Sequence, residues 1–129
     1  MISSKVLKEI EHDAVERYRS RYNEMGVTPQ SLGWGSKEDQ IERFEVIINQ
    51  INLKNKTVID IGCGFADFFS YLKNSGIQID YIGIDIIPDF IEYCEKKFSK
   101  QNFYCKNIMT AENLPEADIV ISLGTLNYK

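Results

Sequence analysis

The stretch Val58-Ile59-Asp60-Ile61-Gly62-Cys63-Gly64-Phe65-Ala66-Asp67 decides how this chain folds. Its front half, from Thr57 to Ile61, is β-branched and apolar apart from Asp60, and it ends at a glycine, so it reads as a short buried strand. Gly62 to Ala66 then reads as a tight turn, and Asp67 to Asn74 as a helix that Gly76 stops. A strand that hands its glycines to a helix start lets the backbone bend sharply and approach a ligand closely.

The pattern repeats downstream. Ile79 to Ile84 is a second strand, Pro88 to Lys100 a second helix with proline at its start, and Asn102 to Lys106 a third strand. After a connection through Glu112 and Pro115, Ala117 to Ser122 forms a fourth. Near-continuous apolar strands alternating with helices are the signature of a parallel sheet covered on both faces. Upstream, residues 4–25 read as a helix with Leu7, Ile10, Ala14, Tyr18 and Tyr22 in one apolar stripe. Residues 26–35 form a loop, and Ser36 with Asp39 opens a second helix to about Asn52 in a capping-box-like start. Its buried side is expected to carry Ile41, Phe44, Ile47, Ile48 and Ile51.

Composition narrows the function classes. The 129 residues have room for one domain, with 43% hydrophobic and 26% charged residues. A net charge of −4 lacks the basic excess that a nucleic-acid or anionic-membrane binder uses against phosphate. The N-terminus has no apolar signal core, and no apolar run reaches the roughly 20 residues that span a bilayer. Cys63, Cys94 and Cys105 form no CxxC pair and accompany a single histidine, His12, so neither a disulfide framework nor a metal site is expected. Three reduced thiols suit a cytoplasmic protein.

The second half of the signal is Ile82-Gly83-Ile84-Asp85. Asp85 lies 21 residues beyond Gly64, the spacing at which an acid reaches ribose hydroxyls in nucleotide-binding strand–helix–strand units. An adenosine-containing ligand across adjacent strand tips is the expectation. NAD and S-adenosyl-L-methionine (SAM) both suit such a unit. The dinucleotide fingerprint wants its third glycine at position 67, where Asp67 stands instead, and a carboxylate there would repel a pyrophosphate docking on the same helix end. SAM has no phosphate and carries an ammonium group. Asp60, just before the turn, points the same way, so SAM is the expected cofactor.

On these residues the chain resembles the class I SAM-dependent methyltransferases. Asp60-Ile61-Gly62-Cys63-Gly64 looks like their motif I, with Ala66 at the third glycine. Gly83-Ile84-Asp85-Ile86 looks like motif II, in which the acid bonds the ribose hydroxyls and the next residue packs on the adenine. The resemblance implies that Asn107 takes the place of an Asp that bonds the adenine amino group, with Ile108 against the ring. It also implies that Ser122, ending the motif IV-like run Ala117 to Gly124, borders the methyl donor. Leu32-Gly33-Trp34-Gly35-Ser36, with Gln40 and Arg43-Phe44, is similar to a group of uncharacterised bacterial and archaeal methyltransferases in which an N-terminal helical region lies over the cofactor. Trp34 is then a lid or only an aromatic anchor, and Arg43 a partner for the methionine carboxylate.

The fold so implied is a Rossmann-like three-layer αβα unit, residues 53–129. Its parallel sheet has four strands in order 3-2-1-4, and two helices in residues 1–52 precede it. Members of the family usually have seven strands, so a chain with four is expected to lack the last ones and to leave the fourth as an exposed apolar edge. Either a dimer covering residues 118–122 or a folded-over N-terminal helix is expected there. Two functions follow: a truncated methyltransferase acting on a small-molecule acceptor, or a SAM- or nucleotide-binding module without chemistry of its own. A NAD-type domain is the weaker third. His12 and the lysines of 96–100 read as solvated, Cys63 as a small turn residue rather than a nucleophile, and Asp118 as structural. Tyr128 either faces an acceptor or does not pack at all. Gly64→Val is expected to block binding while leaving the chain folded.

Overall fold

The structure, a computed structural model, describes residues 3–123. Four helices and four strands follow in the order α1 (Ser4–Met25), α2 (Lys37–Gln50), β1 (Thr57–Ile61), α3 (Asp67–Asn74), β2 (Asp80–Asp85), α4 (Pro88–Lys97), β3 (Asn102–Cys105) and β4 (Ile119–Ser122), with a 3-10 turn at Pro29–Leu32. The strands are all parallel, in order β3-β2-β1-β4. This is the expected Rossmann-like arrangement, each strand span agreeing with the apolar runs to within one or two residues.

Each helix start has a local cause. Ser3 and Ser36 accept hydrogen bonds from the backbone N–H of Val6 and Asp39, and Pro88 opens α4. The capping role of Ser36 follows the sequence reading; that of Ser3 was not foreseen.

One face of the sheet is covered by α2, α3 and α4. Phe44 of α2 and Phe68 and Leu72 of α3 pack on Val58 and Ile121, while Phe69 of α3 and Ile91 and Cys94 of α4 pack on Tyr81 and Phe103. The opposite face holds Ile59, Ile82 and Ile84, with Tyr104 and Ala117 against them. Helix α1 instead crosses the carboxyl ends of the strands, where Ala14, Tyr18 and Tyr22 meet Phe65, Ile86, Ile87 and Phe90.

Two packing expectations need correction. Ile51 is not on the buried side of α2: it caps the helix and is exposed, while the polar Gln40 is buried at the other end of that face. Ile10 is 39% exposed, so the buried part of the α1 stripe begins at Ala14. The outer edge of β4 has no partner strand among the described residues, and Val120 beside it is 59% exposed. Tyr128 and Gly124 lie outside the described residues.

Candidate functional site

The carboxyl ends of β1 and β2 are joined by hydrogen bonds from Gly62, Cys63 and Gly64 of the glycine turn. The N–H groups of Gly62 and Cys63 donate to the Ile84 carbonyl at 2.7 and 3.1 Å, and that of Ala66 to the Cys63 carbonyl. Gly64 N–H donates to Asp85 Oδ2 at 2.9 Å, and Ile87 N–H to Asp85 Oδ1 at 3.0 Å. The Asp85 carboxylate thus braces both the turn and the entry into α4. Gly62, Gly64 and Ala66 all have positive φ, 73°, 57° and 59°. The third glycine position of the motif is therefore a left-handed residue that Ala66 fills under strain.

A crevice of about 70 Å³ opens above these strand tips. Trp34, Asp60, Gly62, Cys63, Gly64, Asp67, Asp85 and Ile86 line it, so most of the sequence-expected site residues come together. Arg43 and Ser122 do not enter the crevice; they line an adjoining cleft. Asn107 and Ile108 line neither. Asn107 Oδ1 accepts from the Met109 N–H at 2.9 Å, and its Nδ2 donates to Glu11 Oε2 at 3.4 Å, so its amide is engaged locally.

The N-terminal segment contributes a wall that the sequence reading named only in part. Tyr18, Leu32, Gln40 and Phe44 line the crevice, and Gln40 Nε2 donates to Asp67 Oδ2 at 3.0 Å. Leu32 sits where a side chain on Gly64 would go: a Cβ there would lie 2.8 Å from both of its terminal carbons. With φ at +57° as well, Gly64→Val strains the fold itself, which corrects the expectation that the variant would be defective in binding alone.

The electrostatics of the crevice are one-sided. Its charged lining residues are Asp60, Asp67 and Asp85, with no lysine, arginine or histidine among them. Burial pushes the Asp60 carboxyl up to about 7, against a hydrogen bond from Tyr81 Oη at 2.5 Å and with Asp85 and Asp67 adding to the rise. Burial likewise raises Asp85 to about 6, opposed by the N–H groups of Gly64, Ile87 and Ile86. Cys63 is held well above the usual thiol range by its neighbour Cys94 and by burial, which keeps it protonated and a poor nucleophile. His12 is exposed, and Asp118 accepts the Thr57 N–H at 2.8 Å, a structural role. The described residues contain no cluster of three or more potential metal ligands. They also contain no helix long and apolar enough to cross a membrane.

Residues 52–129 match the family model described as a methyltransferase domain. The chain belongs to that family. Among curated relatives of this methyltransferase domain is the malonyl-[acyl-carrier protein] O-methyltransferase of Acetivibrio thermocellus, 30% identical over 94 residues. That match covers 69% of this chain and 33% of the relative. The phthiotriol/phenolphthiotriol dimycocerosates methyltransferase of Mycobacterium leprae is 28% identical over 88 residues, with 64% and 32% covered. The methyltransferase domain thus spans about a third of the length of these two relatives. A crystal structure of Haemonchus contortus phosphoethanolamine N-methyltransferase 1, in complex with phosphoethanolamine and S-adenosylhomocysteine, superposes with a TM-score of 0.64. It is 19% identical, with 88% of this chain and 25% of that one covered, a likeness of fold.

Proposed function

We propose that the crevice above β1 and β2 binds SAM, and that the domain transfers its methyl group to a small-molecule acceptor. The observation that carries this reading is the crevice's all-acidic lining beside a turn in which the N–H groups of both glycines are already bonded within the protein. A phosphate-binding turn offers free backbone N–H groups to the anion. Here those of Gly62, Cys63, Gly64 and Ala66 are bonded within the protein, and three carboxylates face the space. Such a site repels a pyrophosphate and favours a cation, and SAM carries both a sulfonium and an ammonium.

In this reading Asp85, at the tip of β2, accepts the ribose hydroxyls while Gly64 and Ile87 hold it in place. Ile86 packs on the adenine. Gly62, Cys63 and Gly64 lie along the adenosyl group, and Asp60 and Asp67 supply the negative field for the methionine end, Asp67 oriented by Gln40. Trp34 closes the side of the pocket. SAM would supply a methyl carbon on positively charged sulfur: an acceptor lone pair bonds to that carbon in line as the carbon–sulfur bond breaks, its electron pair leaving with S-adenosylhomocysteine. The protein's part is to hold that carbon and exclude water, so no strong general base is required. Asn107, Ile108 and Ser122 would join only after a local change at the mouth.

Calorimetric titration with SAM, S-adenosylhomocysteine and NAD tests the reading. SAM is expected to bind more tightly than NAD, and Asp85→Ala to weaken SAM by about 2–3 kcal/mol through lost charge-assisted hydrogen bonds. An unchanged affinity would remove the ribose role of Asp85, and preferential NAD binding would overturn the donor assignment. At the other side of the sheet, a second copy of the chain pairing along β4 would cover the exposed Val120 edge. A monomer in size-exclusion chromatography would count against that.

A further inference from the structure

A second cleft of about 650 Å³ adjoins the acidic crevice, and Tyr18, Leu32, Trp34 and Leu123 line both. Its charged lining residues are Arg17 and Arg21 from α1 and Arg43 from α2, with no carboxylate among the lining side chains. Arg17 and Arg21 are half-buried, one helical turn apart, and Arg43 is exposed at the rim. None of the three makes an ion pair with a described residue, in a chain where acids outnumber Lys and Arg by 19 to 15. Arg21 only stacks over the Tyr18 ring at 5.2 Å. By contrast Arg19, elsewhere on α1, is paired with Asp89 at 3.0 Å. Partly desolvated guanidinium groups converging on a cleft without a counter-charge present a strong site for a carboxylate or phosphate, which their planar forks bind in bidentate fashion.

We propose that this cleft is the acceptor site and that the acceptor is a small organic anion with an apolar body. Arg17, Arg21 and Arg43 hold its anionic group, and Leu32, Trp34 and Ile47 hold the rest. This inference rests on the donor reading above. A negative crevice and a positive cleft share one wall, so a cationic donor and an anionic acceptor are each repelled from the other's place and meet across Trp34. The arginines are binding residues; no proton transfer is assigned to them.

Trp34 is the chain's one tryptophan, so its fluorescence reports on this cleft directly. Octanoate, octyl phosphate and uncharged octanol would be titrated into the full chain, with and without saturating S-adenosylhomocysteine, whose own affinity is measured by calorimetry. Saturable binding of octanoate or octyl phosphate is expected, with octanol at least about tenfold weaker, and the tighter of the two anions identifies carboxylate or phosphate as the group preferred. Arg21→Gln and Arg43→Gln, each checked for an unchanged melting curve, are expected to weaken the anion about tenfold. Arg19→Gln should leave it unchanged. Equal affinity for octanol, or no effect of either variant, would overturn the proposal. So would a comparable loss of S-adenosylhomocysteine affinity in Arg43→Gln, which would assign that arginine to the donor's carboxylate. If the anion binds but S-adenosylhomocysteine does not, the donor reading fails while the anion site stands.

Discussion

Replacing Asp60 by Asn should make the ligand-free domain more stable and a poorer binder, and the size of the first effect follows from burial. Asp60 is 3% exposed at the centre of the sheet, and its carboxyl titrates at about 7 instead of the ordinary 3.8. Between those values the folded chain holds a proton that the unfolded chain has released, so stability falls as pH rises through that window and is fully depressed above it. At about 1.4 kcal/mol per pKa unit, a rise of roughly three units costs the folded state up to about 4 kcal/mol at pH 8 and almost nothing at pH 4. Asn keeps an oxygen to accept the Tyr81 hydroxyl and cannot ionise. Thermal melts of the two proteins should therefore coincide near pH 4 and diverge at pH 8, with Asp60→Asn melting higher by on the order of 10 °C. SAM affinity at pH 8 should meanwhile drop about tenfold or more, because the variant lacks the charge that attracts the cation. Parallel pH–stability curves for the two proteins would refute the claim that this carboxyl is held against its own ionisation. Equal SAM affinities would refute its role in the donor site.

Binding of the cationic donor by wild-type protein should release protons, since it favours ionised Asp60 and Asp85; affinity is expected to rise between pH 5.5 and 8, and the calorimetric enthalpy to vary with buffer ionisation heat. A pH-independent affinity would count against it. Ala66, with φ +59°, should accept glycine within about 1 kcal/mol, because relief of left-handed strain and loss of one buried methyl nearly cancel. Ala66→Val, β-branched in the same conformation, should lose more than about 2 kcal/mol in urea unfolding. Gly83→Ala places a Cβ 2.7 Å from the Phe103 ring and 3.0 Å from Cys63 Sγ, and should lose about 1–3 kcal/mol of stability.

The sheet was legible because parallel strands buried on both faces are written as apolar runs, and because glycine turns mark where each one ends. Asp85 was legible for a related reason: the sequence distance from Gly64 to the next strand tip is set by one helix and one strand, whatever packs around them. What stayed hidden depends on partners distant in sequence. Gln40 is polar, and its bond to Asp67, 27 residues on, explains a burial near the start of α2 that apolar periodicity did not mark. The Asp60–Tyr81 bond is hidden in the same way, since tyrosine in a strand reads simply as bulk. Arg43 was expected beside the donor but lines the neighbouring cleft, because helix phase sets the face of α2 and not which of two adjacent hollows that face borders; Ser122, at the end of β4, lines the same cleft.

The division of charge between the two hollows also divides the chain. The acids of the crevice, Asp60, Asp67 and Asp85, all lie within residues 52–129, the part matched by the family model, and are fixed by strand tips and the turn. The arginines all lie upstream, on α1 and α2, which with the 3-10 turn between them reach the crevice through Tyr18, Leu32 and Phe44. A sheet edge is a rigid place to hold a ligand common to many reactions, because moving one acid there disturbs the hydrogen bonds of two strands. Positions on α1 and α2 outside the sheet carry no such constraint: Arg17, Arg21 and Arg43 can change without touching the strand ladder. On the proposed reading, donor recognition is therefore a property of the sheet, and the choice of acceptor a property of the two helices packed against it.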